Sequence, residues 1–334
     1  MQNKLFDLAV YACFLCLCLI GVRKSSGDSE QDYLTRFNAL RGIFALEIVL
    51  GHAVRHADSY LWPFGRFMMI SVGFFFFVSA FGMVHSYHRK NAYLEGFCKR
   101  KIGYLFCLTI VVFAFNFVAD LIIPANASYV CDISQIPQYY LIKTNWYMFE
   151  QMLFYALFYL VYQYLKKGRI LAIAVAILLL DIVVYQLGWD QEWYASSWSF
   201  VAGLIVGEHY LAIQKAVKKP WMWCVSFLLA ALGIISLFVG ENIVSMLFLR
   251  NIMCIATILI LFQLLGYIQL GNSVTVWLGR YSTEIYLFQF LYLRIAENTK
   301  LDYKISVLFM VSLTMLTAVC ARPVFEWIRR KCAK

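Results

Sequence analysis

The chain has 334 residues, of which 62% are hydrophobic and only 14% charged, and its mean hydropathy is +0.70. Soluble domains carry roughly 25% charged residues, so this composition excludes a soluble enzyme and indicates a protein that crosses a membrane several times. The net charge of +10 does not indicate a nucleic-acid partner, because the basic residues form short clusters between apolar runs, as in cytoplasmic loops.

Eleven apolar segments follow one another with short connections, which predicts an all-α, polytopic membrane bundle. The segments lie at about 5–22, 38–57, 67–88, 102–123, 146–165, 170–187, 194–213, 221–240, 246–268, 274–296 and 303–321. We divide the chain into an N-terminal hydrophobic segment with a basic cytoplasmic connection (1–32), a membrane domain (33–330) and a basic cytoplasmic tail (331–334).

The lysines and arginines concentrate in alternate connections, beginning with residues 23–41 and ending with the C-terminal tail. Such an excess is typical of the cytoplasmic side, so we expect a multi-pass protein of the cell membrane with a cytoplasmic C-terminus. We expect segment 5–22 to be an uncleaved extra helix that starts outside, with an interfacial segment as the alternative.

Segment 38–57 carries two ionisable residues, Arg41 near its start and His52 well inside it. A helix turns about 100° and rises about 1.5 Å per residue, so the two residues share nearly one face and lie about 16 Å apart. Ionisable groups inside a membrane are costly and are functional candidates by default. The alternative is an interfacial arginine and a histidine that is hydrogen-bonded to a neighbouring span.

Two further features could take part in chemistry. Glu150 is predicted to lie at the depth of His52, where a carboxylate could hold an imidazole in one tautomer; a structural hydrogen bond is the alternative. The basic cluster Lys99, Arg100 and Lys101 could receive a phosphate-bearing cosubstrate, or it could reflect the ordinary cytoplasmic excess of positive charge. We predict no metal site.

Four short motifs occur in order along residues 33–330. They are Leu40-Arg41-Gly42 with His52; Phe75-Phe76-x-x-Ser79-Ala80; Trp146-x-x-x-Glu150-x-x-x-Phe154-Tyr155; and Leu278-Gly279-x-x-Ser282-x-x-x-Tyr286-Leu287. Together they resemble the acyltransferase 3 family of integral membrane acyltransferases, which modify surface carbohydrates and some small molecules. Two positions depart from the family pattern. Ala80 stands where glycine is usual, and Gln289 stands where a histidine is common.

The resemblance implies a ten-helix core, to which segment 5–22 would be an addition. It also implies an acyl-CoA donor, expected to be acetyl-CoA, whose phosphates would be bound by Arg41, Lys99, Arg100 and Lys101. The acceptor would be a hydroxyl of a surface polysaccharide or lipid-linked carbohydrate, with His52 as general base and Glu150 orienting it. The candidates for the substrate pocket are Phe75, Phe76, Ser79, Trp146, Ser282, Tyr286 and Gln289.

Two other interpretations remain open at this stage. A transporter or flippase of lipid-linked sugars would also place charges in a cavity within the membrane. A catalytically silent member of the family would account for Ala80 and Gln289.

Overall fold

The computed structural model describes residues 2–25, 27, 29–54, 59–123, 145–239, 242–299 and 301–333. Within these ranges the chain forms thirteen α-helices. They are α1 (Gln2–Leu19), α2 (Glu30–Ala53), α3 (Trp62–Arg89), α4 (Tyr104–Ile122), α5 (Trp146–Tyr164), α6 (Arg169–Gln186), α7 (Trp198–Glu208), α8 (Tyr210–Val217), α9 (Pro220–Ile234), α10 (Arg250–Tyr267), α11 (Ser273–Arg280), α12 (Ser282–Thr299) and α13 (Tyr303–Ala333). Turns of π-helix, Cys98–Gly103 and Val244–Leu249, lead into α4 and α10.

The predicted all-α membrane bundle is confirmed. Among the described residues, six helical stretches are long and apolar enough to cross a membrane: Trp62–Arg89, Cys98–Ile122, Arg169–Gln186, Pro220–Leu237, Val244–Tyr267 and Tyr303–Ala333. Two predicted segments are each divided between two helices, 194–213 at His209 and 274–296 at Tyr281.

A two-residue strand pair was not predicted. The strand β1 (Arg23–Lys24) pairs antiparallel with β2 (Ile268–Gln269), and Arg23 donates a hydrogen bond to the Gln269 side chain at 3.1 Å. Two basic residues in a connection give no alternating pattern, so only the folded chain reveals that these connections meet.

Helix α2 is the central element, packed against α3, α11, α12 and α13. It begins with a capping box in which Ser29 and Asp32 satisfy each other's backbone N–H groups. The helix therefore starts three turns before Arg41, which places the arginine inside the helix rather than at its end.

Two glycines bring α2 and α11 into backbone contact. A Cβ atom on Gly42 would overlap the backbone of Thr275 and Gly279, and one on Gly279 would overlap the backbone carbonyl of Asn38. Small residues permit such close approach between helices. The glycines of the motifs at 40–42 and 278–279 therefore have a packing role, because they fix the position of α2 against α11.

The extra N-terminal helix expected from the sequence is present as α1. It contacts α11, and side chains of α1 pack on two apolar clusters that include residues of α2. From the middle of α1, the Tyr11 hydroxyl donates to the Tyr60 carbonyl at 2.9 Å. At its end, Asn272 donates to the carbonyls of Leu17 and Ile20 at 2.9 and 3.0 Å.

Candidate active site

A cluster of positive charges lies at the Arg41 end of α2. Arg41, Lys90, Arg100 and Arg329 all repel the ammonium group of Lys101. Lys90 and Arg329 are exposed, whereas Arg41 and Lys101 are half-buried, so the charges lead from the surface into the bundle. In the part of the chain that the structure describes, no carboxylate forms an ion pair with Arg41 or Lys101. Such a cluster favours an anion that carries several negative charges.

The structure separates the three basic residues of the predicted landing site. Lys101 belongs to the cluster. Arg100 donates to the backbone carbonyls of Tyr93, at 2.7 Å, and Glu95, so part of its guanidinium is engaged in holding the preceding loop. Lys99 is exposed and acts electrostatically on Cys332. Their role in donor binding stays a prediction.

The sequence analysis did not single out Arg329. It lies on α13, with its guanidinium 5.6 Å from the ring centroid of Tyr104. In the sequence it stands in the C-terminal basic run, where it is indistinguishable from charges that only reflect membrane orientation. Helix packing brings it to Lys101 across more than 200 residues of chain.

Deeper in the bundle, the first three motifs converge. Tyr155 of α5 shares a hydrogen bond with Ser79 of α3, and Arg41 of α2 interacts electrostatically with Tyr155 and with Tyr147. The structure therefore brings together the arginine, the serine and the tyrosine that the separate motifs contribute.

Aromatic residues surround this point. The fully buried Phe76 packs against Tyr147 and Phe154, each with ring centroids 5.0 Å apart, and Phe75 lies 6.3 Å from the Tyr147 ring. Trp146 packs on Trp193 of the neighbouring connection at 6.2 Å. These contacts give Phe76 and Trp146 clear packing roles; their contribution to a substrate pocket stays a prediction.

The departure of the second motif from the family pattern, Ala80 in place of glycine, has a structural explanation. A Cβ atom on Gly203 of α7 would lie only 2.8 Å from the Cβ of Ala80 and would also overlap the Phe77 backbone. A glycine on α7 therefore provides the space that the alanine on α3 takes up. Ala80 is compatible with tight packing of α3 on α7.

Buried polar side chains continue from this region along α5 and α12. Ser282, Tyr286 and Gln289 follow one another at helical spacing on α12, and Glu150 projects from α5. All four are at most 4% exposed, and both carboxylate oxygens of Glu150, both amide atoms of Gln289 and the two hydroxyls have no hydrogen-bond partner. Buried polar groups are nearly always hydrogen-bonded, so this arrangement is suited to a polar ligand.

At the other end of α2, His52 opens onto a cleft. The imidazole packs against Phe290 with ring centroids 5.1 Å apart. The cleft has a volume of about 210 Å³, and its polar lining residues, besides His52, are Glu297, Tyr303 and Ser306. His52 is therefore accessible from the end of the bundle opposite to the cluster of positive charges.

Glu150 and His52 are not hydrogen-bonded to each other, because neither carboxylate oxygen of Glu150 has a hydrogen-bond partner. Glu150 acts electrostatically on Tyr286, whose ring lies 6.1 Å from that of Phe290. The orienting role of Glu150 stays a prediction, and it would have to act over a distance. Nearer to His52 along α2, Glu47 accepts a hydrogen bond from Ser71 of α3.

The bundle, with a cluster of positive charges and a histidine cleft at opposite ends of one central helix, defines a multi-pass membrane protein with an internal polar site. A family model for an acyltransferase domain, Acyl_transf_3, matches residues 34–324. The chain belongs to this acyltransferase 3 family and is a membrane acyltransferase. No curated protein and no solved structure matches the chain. Helix α1 lies outside the matched range.

Proposed function

We propose that the protein transfers an acyl group, expected to be acetyl, from cytoplasmic acyl-CoA to a hydroxyl of a cell-surface or lipid-linked carbohydrate. The proposal rests on the positions of two residues of one helix: Arg41 lies in a cluster of positive charges, and His52 lies in a cleft. Among the described residues, no carboxylate forms an ion pair with Arg41. The separation of Arg41 and His52 along α2 is about 16 Å. Since the ends of the helix face opposite sides of the bundle, donor and acceptor can approach from opposite sides of the membrane.

Charge and polarity favour a coenzyme A thioester as the donor. Its phosphates match the exposed Lys90 and Arg329 and the half-buried Lys101 and Arg41. Its pantetheine arm carries two amides, which can donate and accept hydrogen bonds. Buried groups of matching chemistry, above all the amide of Gln289, occupy the interior between the cluster and His52. A glutamine at this position therefore suits donor binding even though it cannot replace a histidine in proton transfer.

In the proposed reaction, His52 acts as the general base, since an imidazole is suited to proton transfer near neutral pH. Its ring nitrogen takes the proton from the acceptor hydroxyl as the hydroxyl oxygen attacks the thioester carbonyl carbon. The C–S bond then breaks, and the CoA sulfur leaves and takes up the proton from His52. The products are the O-acyl ester and free CoA. Glu150 would orient the imidazole through an intervening group, because its carboxylate oxygens do not bond His52 directly.

The proposal is tested by proton NMR of O-acetyl groups on the surface glycan. Cells carrying the intact protein, a deletion, His52→Ala or the control His209→Ala are compared at equal protein level; His209 is an exposed histidine at the end of α7. We expect acetyl signals with the intact protein and His209→Ala and none with the deletion or His52→Ala. Persistence of the signal in His52→Ala would contradict the mechanism.

The same experiment separates the two alternatives. A flippase predicts that the deletion removes the glycan itself from the surface, while any acetyl groups on residual glycan are retained. A catalytically silent protein predicts identical acetyl content in all four strains. Ala80 does not favour the silent interpretation, because Gly203 compensates for it in the packing.

A further inference from the structure

Helix α1, outside the range matched by the family model, places a carboxylate in the protein interior near the His52 cleft. Asp7 is 1% exposed. One of its oxygens accepts hydrogen bonds from the Ser59 hydroxyl and the Tyr60 backbone N–H, both at 2.9 Å, and the other accepts from the Tyr303 hydroxyl at 3.0 Å. Asp7 is therefore a fully engaged acceptor, and hydrogen bonds to a charged group are among the stronger ones in proteins.

The hydrogen-bond partners of Asp7 belong to two different segments of the chain near His52. Ser59 and Tyr60 lie in the connection that follows α2, and Tyr303 begins α13 and lines the cleft. The Ser59 and Tyr303 hydroxyls are also 2.6 Å apart, so the three side chains form one network. Asp7 consequently ties the residues just before α3 to the start of α13.

The first half of α1 packs against the same region. The ring of Phe6 meets that of Tyr303 edge-on at 5.9 Å, and the ring of Tyr11 stacks on Phe64 at 5.2 Å. Leu8, on another face of α1, is 59% exposed. A helix that served only to anchor the chain in lipid would have no need for a buried carboxylate with three partners, because ionisable groups in a membrane segment are costly.

We propose that Asp7 is a positioning residue for the acceptor side of the acyl transfer. Tyr303 donates its single proton to Asp7. Of the two lone pairs on its oxygen, the Ser59 hydroxyl can occupy one, and the other can receive a hydrogen bond from a hydroxyl group in the cleft. Asp7 thereby orients Tyr303 toward a polyhydroxylated acceptor beside His52, while the donor site at Arg41 lies at the far end of α2 and is independent of it. This inference rests on the proposed function.

The test uses the full chain in membrane vesicles with radiolabelled acetyl-CoA, comparing Asp7→Ala, Asp7→Asn, Tyr303→Phe and the double variant Asp7→Ala/Tyr303→Phe. Leu8→Ala is the control on the neighbouring, exposed position. Two quantities are measured: label transferred to the carbohydrate fraction, and the Kd for acetyl-CoA of the purified protein. Asp7→Asn retains the size of the side chain and guards against a simple loss of folding.

We expect Asp7→Ala and Tyr303→Phe each to lower transfer at least tenfold, with the Kd for acetyl-CoA unchanged within twofold. The double variant should lose no more than about twofold beyond the worse single variant, because both changes remove the same interaction. Asp7→Asn should show an intermediate loss of transfer, since its amide oxygen can serve only one of the two sets of donors, and Leu8→Ala should match the intact protein.

Normal transfer by Asp7→Ala would overturn the inference. So would a parallel loss of donor binding and transfer, because that pattern indicates a general structural role, or losses that multiply in the double variant. If the intact protein itself transfers no label, the proposed function is contradicted. If the intact protein transfers label and Asp7→Ala does so equally well, only the inference about Asp7 fails.

Discussion

The charge cluster at the Arg41 end of α2 makes the sharpest prediction about the donor. We consider Arg41→Gln against Lys99→Gln. Both substitutions remove one positive charge from the same end of the bundle. Arg41 is half-buried and acts on Lys101, Tyr147 and Tyr155, whereas Lys99 is exposed and acts on Cys332.

The expected magnitudes follow from these positions. A hydrogen bond from a charged, half-buried group contributes about 1.5–3 kcal/mol, and each 1.4 kcal/mol is a factor of ten in affinity. Arg41→Gln should therefore weaken CoA binding by about 10- to 100-fold. An exposed charge contributes about 0–1 kcal/mol, so Lys99→Gln should weaken it by no more than about fivefold.

The thermal stability of the unliganded protein should not fall in Arg41→Gln, although its affinity for CoA does. In the unliganded protein Arg41 repels Lys101, and among the described residues no carboxylate pairs with either. Removing one of two like charges relieves this repulsion. The thermal midpoint of Arg41→Gln without ligand should therefore equal or exceed that of the intact protein, and the upward shift of the midpoint by CoA should shrink in step with the affinity.

The assay is equilibrium binding of radiolabelled CoA to the purified full chain, repeated with dephospho-CoA, which lacks one phosphate. Equal binding of CoA by Arg41→Gln and the intact protein would refute the assignment of the cluster to the donor phosphates. A larger loss in Lys99→Gln than in Arg41→Gln would place the donor on the outer face of the π-helical turn.

Three further predictions concern the proposed general base, the helix contact and the buried carboxylate. His52→Ala should lower the turnover number by about 10²–10⁴-fold, the usual contribution of a general base, without a change in CoA affinity. The control His209→Ala should change neither the turnover number nor the CoA affinity. If His52→Ala keeps a tenth or more of the normal turnover, His52 is not the general base. Gly279→Ala should destabilise the protein by about 1–3 kcal/mol through overpacking. The control Gly82→Ala should be neutral or slightly stabilising, because a Cβ at Gly82 would lie at an ordinary contact distance from its neighbours. Thermal unfolding in detergent measures both variants, and equal midpoints would contradict the backbone contact between α2 and α11. Glu150→Gln should not lower the thermal midpoint, because neither carboxylate oxygen has a partner to lose, but should reduce acyl transfer at least tenfold; unchanged transfer would leave this residue without a catalytic role.

Local sequence information was sufficient for the helices and for the relation of Arg41 to His52. Apolar runs of membrane-spanning length predict helices because every backbone polar group in lipid must be bonded within its own segment. The shared face and the spacing of Arg41 and His52 follow from the geometry of a single helix. For the same reason the helical period places Ser282, Tyr286 and Gln289 along one face of α12.

Contacts between side chains of different helices were harder to predict from the sequence. From the sequence, Lys99, Arg100 and Lys101 were predicted to act as one group. In the π-helical turn, however, Lys99 is exposed, and Arg100 donates hydrogen bonds to the loop before it. The sequence also suggested that Glu150 meets His52 because their depths match. Depth says nothing about rotation around a helix axis or about which helices are neighbours. In the structure neither carboxylate oxygen of Glu150 has a hydrogen-bond partner, and the His52 ring packs on Phe290, so the orienting role of Glu150 stays a prediction.

Length, hydropathy and helical period are local properties, and they were enough to predict a helical membrane bundle with a cation and a histidine along one face of one helix. The proximity of Arg329 to the Arg41 cluster and the bond between Asp7 of α1 and Tyr303 arise only when the helices pack. Contacts across roughly 290 residues of chain depend on which helix faces pack together. That choice is made by the shape of side chains throughout the bundle, including glycines such as Gly42 and Gly279 that allow two backbones to touch.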